Sequence, residues 1–208
     1  MITYSFSFFF PFLLVMYVSQ SIGKLLGKNL CGYRPTLILG TLSAFIVVVP
    51  LGGIPLARWL ISINANFSIP LTVLIFSKVW ENALHIRLLD SKALLSSYIF
   101  GLMASLALYP MALGLGRFDS YSFGWSFSWL FVLLMVITFV LLFTKNRFGI
   151  VLGVCILCYD LQVLESTNLW DYLVDPFFSL TSSVVLCCWV IGKIYCRKKI
   201  LPLVSRNK

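Results

Sequence analysis

The chain has 208 residues, of which 60% are hydrophobic and only 11% charged, with a formal net charge of +9 and a mean hydropathy of +0.97. A soluble domain carries about 25% charged residues, so this chain could not cover a core with polar surface, which excludes a water-soluble domain and points to an integral membrane protein. The expected class is all-α, a polytopic bundle of transmembrane helices in one domain over 1–195, followed by a basic cytoplasmic tail at 196–208. The basic excess does not point to nucleic acid, because Lys and Arg stand in short groups between apolar segments.

A bilayer core takes about 20 mostly apolar residues in a helix. The first 20 residues, MITYSFSFFFPFLLVMYVSQ, have no basic leader and no small-residue cleavage site, so a first membrane helix over 4–23 is expected to stay in the protein. Further spans are expected over 35–57, 93–116, 125–144, 148–164 and 176–195. A seventh starts near Phe67; its apolar part runs only to Trp80, and it could continue as a helix through Leu89. Charge decides the count. With seven spans and the N-terminus outside, fourteen of the 16 Lys and Arg fall on the cytoplasmic side, and only Arg58 and Arg117 fall outside. The positive-inside rule therefore selects seven spans, N-out and C-in, in a plasma (inner) membrane; six spans follow if 67–80 is re-entrant. Trp59, Trp125, Trp170 and Tyr172 fall near outer boundaries and Trp80 near an inner one, where amphipathic rings prefer to sit. Trp189 falls within a span and is expected to pack against a neighbour.

The outer segments, 58–66, 117–124 and 165–175, are short, so any outer site must be built from loops and helix ends. The last, from Glu165 to Asp175, holds three acids and no base. Ser166 or Asn168 is expected to cap a short interfacial helix, with Asp171 at capping spacing from Asn168. Asp175 before Pro176 is expected to cap the last span. A candidate outer-face polar site remains: Asp160, Glu165 and Asp171, with Arg117 as the cation. Asp160 lies just inside the end of its span, where a carboxylate calls for a partner, and Arg117 or Arg58 could supply one. A second candidate cluster, Lys78, Glu81 and His85, lies on one helix face on the cytoplasmic side.

No metal or other cofactor is expected. His85 is the only histidine, and the six cysteines form no ligand or disulfide framework, Cys155 and Cys158 included. Gly149/Gly153 and Gly23/Gly27 have the spacing that lets helices approach closely. Asn66-Phe67-Ser68 is a formal glycosylation sequon too close to the membrane for use. No catalytic or nucleotide-binding motif is present, and the halves show no inverted repeat. The expected function is a non-catalytic subunit or anchor of a membrane or envelope complex. Its expected partners are the bilayer, anionic lipid at the basic tail, and a membrane protein or a second copy of the chain. The alternatives are an enzyme acting on a lipid-linked substrate at the outer face and a small transporter.

Overall fold

In the computed structural model the described backbone covers residues 2–27, 32–115 and 118–205, with side chains described for 6–27, 32–115 and 118–193. The fold is all-α. Its helices are α1 (Ile2–Leu25), α2 (Tyr33–Val48), α3 (Leu56–Ile63), α4 (Ile69–Leu84), α5 (Ser91–Ala112), α6 (Trp129–Phe143), α7 (Phe148–Asp160), α8 (Leu169–Leu173) and α9 (Pro176–Ser205). A hairpin of two-residue strands, β1 (Pro50–Leu51) and β2 (Ile54–Pro55), joins α2 to α3.

Cross-helix contacts sort the chain into two ends. Phe10 stacks on Phe67 at 3.8 Å, and the side chain of Lys24 meets Asn82, so α1 and α4 run parallel. At the Lys24 end, the Gly32 N–H donates to the Ala83 carbonyl at 3.0 Å, Lys92 Nζ to the Thr144 carbonyl at 3.0 Å, and Asn146 Nδ2 to Ser96 Oγ at 2.7 Å. At the opposite end, Ser120 Oγ donates to the Leu108 carbonyl at 3.3 Å, and the Ser68 N–H to Asp175 Oδ2 at 2.8 Å. The seven longest of the described helices are α1, α2, α4, α5, α6, α7 and α9.

Three of them, over Phe6–Leu25, Ser91–Ala112 and Pro176–Lys193, are long and apolar enough to cross a membrane; those over Tyr33–Val48, Trp129–Phe143 and Phe148–Asp160 are shorter and apolar. A helix satisfies its own backbone hydrogen bonds, which suits a solvent that offers none. Large apolar side chains face outward along α2 (Leu37, Phe45), α6 (Val136, Phe139) and α9 (Leu180, Val184). In water such faces would drive aggregation.

Several boundaries differ from expectation. α2 stops at Val48 rather than near 57, because Pro50 and Pro55 flank Gly52 and Gly53, whose φ angles of 63° and 88° turn the chain into the hairpin. Residues 125–128 precede α6 instead of opening it; Ser128 Oγ accepts from the Leu130 N–H at 3.2 Å as its N-cap. The segment beginning near Phe67 is an uninterrupted helix, but it does not extend through Leu89: His85 adopts a left-handed conformation (φ 58°) and ends it. α9 continues through the segment read as tail, to Ser205. Trp189 is 44% exposed, carrying Lys193 Nζ 3.9 Å from its ring centroid, and is not a packing residue. Of the glycine pair in α7, Gly149 meets Leu142 and Leu141 closely, whereas Gly153 has open space. Gly27 (φ 67°) lies beyond the end of α1 with nothing near it.

The core gathers α4, α5, α7, α8 and the start of α9 around Leu71, Leu74, Ala93, Leu152, Cys155 and Phe178. α5 and α9 approach closely at Gly101, where an added Cβ would lie 2.9 Å from two Phe178 ring carbons and collide with Ser182 Oγ. Gly101→Ala is therefore expected to force these helices apart and cost about 1–3 kcal/mol. A melting temperature in detergent equal to wild type would contradict this packing.

Candidate functional site

The stretch read as an acidic outer loop is among the most buried parts of the molecule. Leu169, Trp170, Tyr172, Leu173, Val174 and Asp175 are all buried. Trp170 and Tyr172 are therefore core residues and not interfacial anchors, which corrects the reading from sequence. Their polar groups make this possible, since a buried ring is tolerated when its N–H or O–H is paired. Trp170 Nε1 donates to the Ser120 carbonyl at 2.8 Å, and Tyr172 Oη accepts from the Leu164 N–H at 3.1 Å. Tyr172 then packs edge-on to Tyr159, and Tyr159 to Phe131, joining α8 to α7 and α6.

Asn168, rather than Ser166, caps α8. Its Oδ1 accepts from the Trp170 N–H at 2.9 Å and its Nδ2 donates to the Tyr121 carbonyl at 2.9 Å. Tyr121 belongs to a 3-10 turn, Tyr121–Gly124, and a Cβ on Gly124 would run into the Asn168 side chain. Asp171 does not reach back to its own helix; its Oδ2 accepts from Tyr121 Oη at 2.9 Å. Burial pushes the Tyr121 phenol up to about 12, and the bond to Asp171 adds to the shift, so the phenol remains the donor.

Asp175 is 2% exposed and joins two helix N-termini. Its Oδ1 accepts from the N–H groups of Phe177 (2.8 Å) and Phe178 (3.1 Å), the expected cap of α9, while its Oδ2 takes the Ser68 N–H at the start of α4. Burial pushes its carboxyl above the usual aspartate range, against the pull of the Ser68, Phe178 and Phe177 donors.

Asp171 and Asp175, with Tyr109, Tyr121, Asn64 and Asn66, line a cavity of about 260 Å³. The other acids of the expected site do not join them. Asp160 stands exposed at the end of α7, with no ion-pair partner among the described residues, so the expected pairing with Arg58 is not formed. Glu165 is exposed beside a narrow cleft lined by Phe6, Phe10, Ile61 and Phe67. Arg117, the proposed cation, lies outside the described residues. Among the described residues no group of three or more His, Cys, Asp or Glu is placed to hold a metal.

The Lys78–Glu81–His85 cluster does come together, and it is larger than its sequence signature. Glu81 Oε2 pairs with Lys78 Nζ at 2.9 Å, and Glu81 Oε1 with Arg87 Nε at 2.7 Å. His85 is the turn residue that folds Arg87 back. The cluster lines an open cleft of about 700 Å³ between α1 and α4, to which α1 adds Tyr17, Ser21 and Lys24, and α4 adds Asn82. Buried Gln20 joins the two helices: its Nε2 donates to the Val79 carbonyl at 3.5 Å and its Oε1 accepts from Asn82 Nδ2 at 3.1 Å. Sequence reasoning counted Lys24 only as a topology marker and passed over Gln20. The available signal was Tyr17, Gln20, Ser21 and Lys24 at helical spacing along one polar face of an otherwise apolar helix.

No protein-family model, curated protein or solved structure matches the chain.

The double cap gives a graded prediction. Asp175→Asn keeps an oxygen for α9 but turns an amide toward the Ser68 N–H, whereas Asp175→Ala removes both caps. Each buried donor left unpaired costs about 1–3 kcal/mol, so the alanine variant is expected to melt well below the asparagine variant, and both below wild type. The pH dependence carries a sign. The folded chain holds the Asp175 proton more tightly than the unfolded chain, so this group's contribution is complete below the ordinary aspartate pKa and is lost as pH rises through the folded value. Wild-type melting temperature is therefore expected to rise relative to Asp175→Asn as pH falls through the carboxylate range; a pH-independent difference would contradict the buried carboxyl.

Proposed function

We propose that the chain is a seven-span protein of the plasma (inner) membrane, N-out and C-in, acting as a non-catalytic subunit or anchor of a membrane-protein assembly. The seven longest helices support the threading. So does the gathering of Lys24, Lys78, Arg87, Lys92, Lys145 and Arg147 toward one end, which this reading makes cytoplasmic. The shorter helices fit if the bilayer thins locally or flanking residues adjust.

The observation that carries the non-catalytic reading is how the acids are used. Of the seven, five are bound into the fold: Asp90 caps α5, Asp119 accepts from the Tyr121 N–H, Asp171 from the Tyr121 phenol, Asp175 caps α9, and Glu81 holds Lys78 and Arg87. Asp160 and Glu165 stand exposed and apart from the cavity. A general base needs an oxygen free to take a substrate proton. The outward apolar faces of α2, α6 and α9 offer area for lipid and for another membrane helix.

The second reading, an enzyme on a lipid-linked substrate, draws on the cavity holding Asp171, Asp175, Tyr109 and Tyr121. A transporter is favoured least, because Asp175, at one end, is the one charged side chain buried among the described residues.

Two measurements test these readings. In a background lacking native cysteines, Thr167→Cys is expected to label from outside intact cells and Lys145→Cys only after permeabilisation. Labelling of both from one side would overturn the threading. Native mass measurement after mild-detergent purification is expected to show one fixed-stoichiometry assembly, unchanged by Asp171→Asn or Glu165→Gln. A monomer whose cellular function is lost in Asp171→Asn at normal abundance would instead establish the enzyme reading.

A further inference from the structure

The cleft at the Lys24 end is a built polar site that the fold does not use up. Its geometry starts from one backbone carbonyl. The Val79 oxygen is an acceptor, so Gln20 must turn Nε2 toward it and present Oε1 to Asn82. Asn82 must then turn Nδ2 toward Gln20 and present Oδ1 to the cleft, where it accepts from Lys24 Nζ. Each amide has its orientation set by the one before it. Gln20 is 1% exposed, so the relay runs through the α1–α4 contact and holds the Lys24 ammonium across the cleft from Lys78.

The charges do not balance. Lys24, Lys78 and Arg87 face a single carboxylate, Glu81, and both of its oxygens are taken, one by Lys78 and one by Arg87. Lys24 has no carboxylate among the described residues and is held by a neutral amide oxygen. Two positive charges are therefore in surplus, at a site lined by the ammonium groups of both Lys24 and Lys78. That arrangement suits a compact anion with several acceptor oxygens, since each lysine acts as a point charge with three donors.

The surroundings indicate where such an anion comes from. The cleft sits where the apolar run Phe6–Leu25 ends, and Leu25, one of its walls, is 87% exposed. Ile22, Trp80 and Leu84 are also exposed nearby on the same two helices. Cations above an open apolar wall fit a molecule with a charged head and a hydrocarbon tail.

We propose that the Lys24–Lys78 cleft binds a phosphate group, supplied by an anionic phospholipid headgroup at the membrane surface. The lipid as source rests on the membrane reading above; the phosphate chemistry does not.

The experiment uses the full chain in neutral detergent, with bound lipid counted by native mass spectrometry and affinity taken from titration. The probes are phosphatidylglycerol, phosphatidylcholine and inorganic phosphate. Wild type is expected to retain phosphatidylglycerol in preference to phosphatidylcholine, with affinity falling as salt rises. Lys24→Gln and Lys78→Gln are each expected to weaken it about tenfold, the loss of one charge-assisted contact, and Lys24→Arg to retain it. A variant with Arg197, Lys198 and Lys199 all changed to Gln controls for the basic tail and is expected to bind as wild type. Inorganic phosphate that displaces the lipid through the same lysines supports the phosphate site, and a higher affinity for it than for the lipid moves the source to solution. Equal binding by Lys24→Gln, Lys78→Gln and wild type overturns the proposal, as does loss confined to the tail variant. The wild-type salt series needs no variant to fold: phosphatidylglycerol binding that ignores salt overturns the electrostatic site by itself.

Discussion

One buried carboxylate sets the level of two helices. Every helix begins with N–H groups that have no partner within it, and a buried helix start has no water to take them. α4 and α9 meet this constraint in the same two ways. Each carries a proline in its first turn, Pro70 and Pro176, which removes a donor. Asp175 then accepts from the Ser68 N–H at one helix and from Phe177 and Phe178 at the other, across 107 residues of sequence for the first contact. The starts of α4 and α9 are thereby fixed together, with α8 buried beside them.

From that joint the rest of this end follows. α8 has no room to lie on the surface, so its polar groups find partners inside. Asn168 reaches the Tyr121 carbonyl, Trp170 the Ser120 carbonyl, and Asp171 the Tyr121 phenol. Gly124 is the residue type that leaves Asn168 its space. The cavity beside Asp171 and Asp175 is the gap left between these contacts, which is why its acids are already engaged.

Local signals were legible and distant ones were not. The caps at Asn168 and Asp175 are written in adjacent residues, and so is the Lys78–Glu81 pair, three apart on one helix. The burial of 169–175 is not, because acids beside Trp and Tyr describe an interfacial loop as well as a core segment. What decides between them is a carbonyl at Ser120 and a glycine at 124 that leaves room for Asn168, roughly fifty residues upstream. The same holds at the other end. Lys24 meets Asn82 58 residues later in the chain, and no periodicity in either helix names its partner. The end of α2 was readable from Pro50, Gly52 and Gly53, yet apolar content concealed it, since Leu51, Ile54 and Leu56 prolong the hydrophobic run through the hairpin.

Charges of both signs complete backbone groups left open at helix ends, and Lys24 stands apart from that use. Asp90 and Asp175 take unpaired N–H groups at helix starts. Cations do the reciprocal work at the Lys24 end: Lys92 donates to the Thr144 carbonyl where α6 stops, and Arg147 donates to the Arg87 and Leu88 carbonyls after α4. Lys78 and Arg87 share the one carboxylate of Glu81. Lys24 belongs to neither class. It meets a side-chain amide whose orientation is dictated from a buried carbonyl two residues away through Gln20. A lysine needed only for solubility or threading would gain nothing from such a relay, because threading responds to charge and not to where the ammonium points. The bond to Asn82 ties α1 to α4 and leaves the ammonium held by a neutral oxygen at the edge of the cleft. That is why the cleft, and not the acid-lined cavity at the opposite end, is where this fold has charge to spare for a ligand.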